Sequence, residues 1–567
     1  MKSNNKFILA LKRSPLLRIL IFFILILFTS LFVNLVQKKT KHLPVIKNIT
    51  PVIGVPGDTM TIKGSNFGNT RNFSSVEIAG SKITSNGYIS WSDTEIRIEL
   101  PVNVQDGLVF VQTSAGRSNP EFFANETSIP VAVGFNTEAI IPVITTIVPD
   151  KASVGTVITI NGKNFGSVRG NSTVSFTANH EVTNTFESGL ELNRENKKDY
   201  ISASSFDFDY VYWSDSEIQV HVPDGADSGY VYILNDKGES NSFEFEVTFP
   251  YGKKKYLRPG TYSIQLSADI INNQQNQNTS LSLYMPRPVV SSFQEIVMMN
   301  ECNPRPLIFD DPYNLIFHKS FENYYNRREN FLAGFVVKAY PVEANYKSKS
   351  DNKYDELSNL YITYTQPDAL IQSNNIAVQE AVDEIIRDKK NPYDKAKSIY
   401  SYIIQNYKLL SDLRKSDAQV LDVLKTKEGD AYDLAMIFTT FCRAVNIPSV
   451  PVSGILIEKG SVSRVHWWSE IYFEKYGWFP VDVALACGMD FEPFMEIENR
   501  TDFYFGNMDS QHVSFSRGYH FIKPSVVNNK TVYRSRTYAL QSMWEETGDA
   551  DLNYSSLWNN PSVIGIY

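Results

Sequence analysis

A histidine and an aspartate offer the first chemistry in this chain. His466 opens His466-Trp467-Trp468-Ser469-Glu470, and Asp482 closes Gly477-Trp478-Phe479-Pro480-Val481-Asp482. An imidazole oriented by a carboxylate is a general base that needs a nucleophile to deprotonate. Taken alone, the two residues read equally well as an ordinary buried hydrogen-bonded pair. Upstream, Gly429-Asp430-Ala431-Tyr432-Asp433 leads into apolar residues at 431, 434, 435, 438, 441, 442 and 445, which share one helical face. Residue 431 is then expected at the buried first turn, with Asp430 as cap and Asn446 at the carboxyl end. The positive end of a helix dipole stabilises a thiolate at such a place, but a methyl group stands there.

Together these motifs resemble the signature of the transglutaminase-like superfamily. In that family a glycine precedes a cysteine, and the cysteine opens a helix ending in Arg-Ala-x-Gly-Ile-Pro, here Arg443-Ala444-Val445-Asn446-Ile447-Pro448. His-x-Trp-x-Glu and Gly-Trp-x-x-x-Asp follow, matched by the histidine and aspartate motifs above. The resemblance implies an α+β papain-like core in which residues 431, 466 and 482 hold nucleophile, base and orienting carboxylate. His466 and Asp482 keep their types, whereas Ala431 is a degenerate nucleophile position. Losing the nucleophile of a covalent mechanism costs about 10⁶-fold in turnover, so a vestigial triad with negligible transamidation is expected. Cys442 lies about 16 Å along the helix from residue 431. Neither it nor Cys487, beyond the aspartate strand, is expected to reach His466. Trp467, Trp468, Glu470 and Trp478 are expected to line a binding cleft, because contacts to peptide or glycan do not require the thiol.

Ahead of this region the chain repeats itself. Pro51, Gly57, Gly64, Asn66, Phe67 and Gly68 recur at constant offset as Pro149, Gly155, Gly162, Asn164, Phe165 and Gly166. Trp91-Ser92-Asp93, Ile96, Gly107 and Asn119 recur at a larger offset as Trp213-Ser214-Asp215, Ile218, Gly229 and Asn241. The second unit therefore carries an insertion, placed in the polar stretch 168–200. Alternating runs between Gly and Asn turn signals predict a β-sandwich in each unit. The paired motifs resemble the IPT/TIG immunoglobulin-like family over 43–128 and 142–248, which implies binding or spacer modules, with Trp91, Trp213, Phe67 and Phe165 as core and corner residues. Further β runs over 261–366 look similar to the β domain preceding the core in bacterial transglutaminase-like proteins. Helical spacing begins at residue 371, and strand-like runs at 450–457, 465–473 and 478–483 follow the Ala431 helix. The core is thus expected over 371–525, and 526–567 reads as a carboxyl-terminal extension.

A chain of 567 residues is too long for one core. The expected architecture is multidomain: an amino-terminal transmembrane helix, two all-β sandwiches, a further β domain and the α+β core. The net charge of −8, with no long basic stripe outside the amino terminus, excludes the electrostatic footprint of a nucleic-acid binder. Residues 16–36 form an apolar run long enough to span a bilayer, which takes about 20 residues, behind a basic segment at 1–15. The run exceeds the h-region of a cleaved signal and lacks a small-x-small site. It predicts an uncleaved signal-anchor, with a cytoplasmic amino terminus and the bulk of the chain in the periplasm or at the cell surface.

Seven histidines and three cysteines show no metal-ligand spacing, so neither a metal nor a cofactor is expected. The function expected is that of a single-pass pseudoenzyme that binds or scaffolds at the cell envelope, with cell-wall peptide, glycan or protein as partner. The alternatives are an active transglutaminase or cysteine-peptidase-like enzyme with a non-standard nucleophile, and a purely structural surface spacer.

Overall fold

The same hydrogen-bonded corner opens both sandwiches and explains their repeated residues. The Trp91 indole N–H donates to the carbonyls of Phe67 and Gly68 at 3.2 and 3.1 Å, and the Asp93 carboxylate accepts from the Gly68 amide at 2.9 Å. In the second sandwich Trp213 donates to the Gly166 carbonyl at 3.2 Å and Asp215 accepts from the Gly166 amide at 3.0 Å. Asn66 and Asn164 turn the chain at φ of 63° and 65°, a region their short polar side chains tolerate. Gly64 and Gly162 have no substitute: a Cβ there would stand 1.9 and 2.0 Å from the carbonyl oxygens of Val45 and Val143.

The computed structural model describes residues 42–101, 104–125, 141–180, 199–273, 279–321, 328–348, 353–414, 419–520, 522, 531–532, 536–541, 543–547 and 553–567. It divides into two units, Met1–Val133 and Gly134–Tyr567. In the first, a sheet of Val45–Thr50, Thr59–Ser65, Glu95–Glu99 and Tyr88–Trp91 faces one built on Ser75–Ile78, Gly107–Thr113 and Glu121–Asn125. Alternate residues Met60, Ile62, Ile96, Ile98, Val109 and Val111 fill the space between. The expected anchor at 16–36 lies outside the described residues. Among the described residues no helix is long and apolar enough to cross a membrane.

The second unit begins with the repeat sandwich, and its insertion does more than lengthen a loop. Residues 181–198 lie outside the described residues, but the returning limb meets the helical region: Phe206 O accepts from Tyr364 Oη at 2.8 Å, and Asp207 accepts from the Trp478 indole at 2.9 Å. Next, Gly260–Asn272, Gln294–Asn303 and Arg328–Ala339 form one antiparallel sheet, and Thr279–Pro286 with Asn314–Phe321 part of another. These strands of the region expected as a β domain over 261–366 do not form a self-contained unit. Trp544–Thr547 pairs with Thr279–Pro286, while Tyr554–Trp558 and Ser562–Ile566 both pair with Gly260–Asn272. The expected extension at 526–567 thus supplies strands to a domain begun some 280 residues earlier, as the separations of 282 and 292 residues between Asn273 and Ser555 and between Ser267 and Asn559 show.

The motif region packs helices on a four-stranded sheet. Ile376–Ile386 and Pro392–Asn406 are capped by Asn375 and Asn391, and the second has proline in its first turn. The helix Ala431–Ala444 ends at Val445, after which Asn446 takes φ of 61°, as its expected capping place requires. The strands lie in the order Gly477–Val481, Val462–Phe473, Ser449–Glu458, His512–Arg517. Ile455, Ile457, Val513 and Phe515 from this sheet join the core of the β domain, so the two share one apolar interior.

In the turn after Phe473, burial and the neighbouring Asp355 charge push the Glu474 carboxyl up to about 7 from 4.5. A folded-state value above the unfolded one means stability that is full below about pH 4.5 and lost as pH rises through about 7. Glu474→Gln should therefore flatten the profile and stabilise the protein by roughly 2 kcal/mol at about pH 8. Urea unfolding at about pH 5 and pH 8 checks it; equal pH sensitivity in the variant would refute the assignment.

Candidate functional site

The start of the Ala431 helix is set by two carboxylates and two arginines. Asp430 accepts from the Asp433 amide and Asp433 from the Asp430 amide, both at 3.1 Å, a reciprocal capping box. Gly429 must precede it, because a Cβ there would lie 2.4 Å from Asp433 Cβ. Arg536 grips both acids, reaching Asp430 at 2.5 and 2.7 Å and Asp433 at 2.8 Å, and its guanidinium lies 4.5 Å from the Tyr432 ring centroid. Arg414 adds a contact to Asp433 at 3.1 Å. Ala431 thus occupies the first turn of a helix whose amino end is firmly held, and it is buried.

Helix and histidine strand pack side by side. Ser469 Oγ donates to the Ala435 carbonyl at 3.1 Å and lies 3.0 Å from Thr439 Oγ1. Tyr432 meets Trp467 edge-on at 5.7 Å. Stepping back along both elements brings the Ala431 end of the helix towards the His466 end of the strand. His466 is fully buried, and its Nε2 lies 2.5 Å from Asp482 Oδ2. Its Nδ1 is buried and has no hydrogen-bond partner among the described residues. The strand expected to reach 483 stops at Val481, and Asp482 instead caps the short helix Val483–Ala486, with Oδ1 accepting from the Leu485 amide at 2.8 Å.

Asp482 has a second imidazole that sequence reading missed. His512 Nε2 lies 3.1 Å from the same Oδ2, and His512 Nδ1 lies 2.8 Å from Asp509 Oδ1. Burial works against charge on His512, but Asp509 and Asp482 raise its pKa to about 9. Burial likewise opposes ionised Asp482, yet the two histidines hold it well below the usual carboxylate range. Asp509 is oriented in turn by Tyr504 Oη at 2.9 Å and the Gln511 amide at 2.8 Å. The available signal was the run from Tyr504 to Gly518, which carries both Asp509 and His512.

The residues expected to line an open cleft are interior. Trp467, Trp468, Glu470 and Trp478 are 1, 4, 2 and 2% exposed. Glu470 accepts from Arg517 Nε at 2.7 Å, and Arg517 also reaches Asp207 of the second sandwich at 3.0 Å while lying 4.5 Å from the Trp478 ring. A space of only about 20 Å³ touches Trp468, Glu470, Asp509 and His512. A larger cavity, of about 680 Å³, lies instead between the second sandwich and the β domain, against Phe206, Asp207, Glu295 and Tyr313. The cleft expectation failed because Asp207 and Arg517 cover Trp478 while Trp467 packs on Tyr432 and Trp468 on His466 and His512, which single-strand patterning does not reveal.

Neither cysteine near the core suits nucleophilic chemistry. Burial pushes the Cys487 thiol up to about 12, with the Asp482 charge adding to it, and burial holds Cys442 well above its ordinary value.

Residues 379–483 match the model of the transglutaminase-like superfamily, and 44–125 and 142–251 match that of the IPT/TIG domain. The helix-and-sheet region is a transglutaminase-like domain. A cyclomaltodextrin glucanotransferase from Paenibacillus macerans is 39% identical over 85 residues, 15% of this chain and 12% of that protein. An uncharacterized protein from Haemophilus influenzae is 25% identical over 206 residues, 31% of this chain and 55% of that one. The chain therefore spans only part of each relative. Among solved structures, the periplasmic domain of TgpA from Pseudomonas aeruginosa is similar with a TM-score of 0.23 at 12% identity, over 38% of this chain and 87% of that one. The transglutaminase-like domain carries His466 and Asp482 within its matched span, and Ala431 too.

Proposed function

We propose that this is a membrane-anchored extracytoplasmic protein whose transglutaminase-like domain has lost its nucleophile and serves in binding or scaffolding at the cell envelope. One observation carries the reading: a buried methyl group at residue 431 heads the helix that packs along the strand of a fully buried His466–Asp482 pair. His466 Nδ1, lacking any partner among the described residues, is the atom a thiol at 431 would engage. The raised thiols of Cys442 and Cys487 argue against a substitute nucleophile. The apolar run at 16–36 supports the anchor. Because Trp467, Trp468 and Trp478 are buried, any ligand would be met elsewhere on the surface, and scaffolding gains weight over peptide capture in a cleft.

The full chain, treated with chelator and given amine donors and glutamine peptides, should show no turnover. Ala431→Cys should acquire a thiol of depressed pKa, read by the pH dependence of its alkylation with a small reagent. Turnover by the parent chain that disappears on changing His466 would overturn the reading. An inert thiol in Ala431→Cys would mean that the residue-431 environment no longer supports thiolate chemistry.

A further inference from the structure

We propose that His466, Asp482 and His512 form a binding site for a zinc ion. His466 Nε2 and His512 Nε2 converge on Asp482 Oδ2 at 2.5 and 3.1 Å, and each of the three residues offers a ligand atom within 4.8 Å of the others'. Ligand atoms of a tetrahedral zinc, each about 2.0 to 2.1 Å from the metal, stand about 3.3 Å apart. To reach that spacing the His466 Nε2–Asp482 Oδ2 contact at 2.5 Å must open, while the His512 Nε2–Asp482 Oδ2 contact at 3.1 Å is already close to it. A void of about 20 Å³ lies against His512.

Outer contacts resemble those of built metal sites. A ligating histidine commonly gives its other ring N–H to a carboxylate, which fixes the tautomer and the ring plane. His512 Nδ1 does so to Asp509, itself held by Tyr504 and Gln511. Asp482 keeps its second oxygen on the Leu485 amide, so Oδ2 is aimed at the imidazoles. For His466, ligation through Nε2 would place the ring proton on Nδ1, which lacks a partner among the described residues, a cost the metal bonds must offset.

Charge balance favours a divalent cation. Asp482 and Asp509 are both buried, and among the described residues their ion-pair partners are His466 and His512, with no lysine or arginine paired to either. On binding, a zinc ion would displace the Nε2 proton of His512 to solvent and balance the two carboxylates over neutral imidazoles. Two neutral imidazoles and a carboxylate are an ordinary zinc donor set.

The test uses the full chain with its native Ala431, stripped with chelator and titrated with Zn²⁺ and separately with Co²⁺. The expected result is about one bound ion per chain, with the visible absorption of tetrahedral Co²⁺. Binding should vanish in His512→Gln and Asp482→Asn and weaken about 10- to 100-fold in Asp509→Asn, which removes no ligand. Circular dichroism checks that each variant is folded; where a ligand variant is not, Asp509→Asn decides. No stoichiometric binding, or binding equal in the parent and Asp509→Asn chains, would overturn the site. Since transamidation is assayed in chelator and zinc with the native alanine, either idea can fail while the other stands.

Discussion

Lys254→Met should destabilise the second unit by about 3–5 kcal/mol, the cost of removing one partner from a buried ion pair. Lys254 Nζ is bound to Asp224 and donates to the Trp478 carbonyl at 2.7 Å, with 4 and 5% of the lysine and aspartate side chains exposed. Three aromatic rings surround the ammonium, those of Tyr476, Phe293 and Tyr256 at 5.4, 5.5 and 5.9 Å. Burial lowers the Lys254 pKa, and the Asp224 charge opposes that shift. Asp224 also accepts from Ser292 Oγ at 2.8 Å and the Trp478 amide at 3.3 Å, so methionine would strand a carboxylate among groups that cannot leave. Adding Asp224→Asn should recover more than half of the loss, because the amide oxygen keeps those bonds without the charge. Urea unfolding measures both, and a single-variant loss below about 1 kcal/mol would show that the pair is solvated. Trp478 lies on the strand leading to Asp482, so the sandwich is anchored close to the dyad rather than hung from a linker.

Arg517→Met should cost a similar amount, about 3–5 kcal/mol, for the same reason. Its guanidinium pairs with Glu470 and Asp207 at 2.7 and 3.0 Å, and its charge is further held by those acids against the effect of burial. Burial pushes the Glu470 carboxyl up even with Arg517 present. Without the arginine, burial would push the Glu470 carboxyl up further, a change visible as a new pH dependence of stability. Arg517→Lys should lie between the two, keeping charge but losing the planar two-nitrogen grip. If Arg517→Met unfolds at the parent's urea midpoint, the sandwich and the transglutaminase-like domain are held by other means.

Much of the fold was legible from local pattern. The corner residues Trp91, Asp93, Trp213 and Asp215 announced two sandwiches because they bond within their own repeat. Residues 431 to 445 announced their helix because a period near 3.6 and a capping acid are local signals, and Asn446 marked its end for the same reason. Spacing rules search short windows, and so they were blind to His512, which meets Asp482 across 30 residues.

By itself the sequence determined the two sandwiches, the transglutaminase-like domain, the helix bearing Ala431 and the identity of the His466–Asp482 pair, since each is written in contiguous motifs whose physics is short-range. Tertiary structure alone decided that strands from 544–566 complete the β domain, that Arg536 clamps Asp430 and Asp433 across more than 100 residues, and that the tryptophans are sealed in. Each of those depends on which distant surfaces bury one another, and the free energy of that burial belongs to the assembled unit rather than to any one segment.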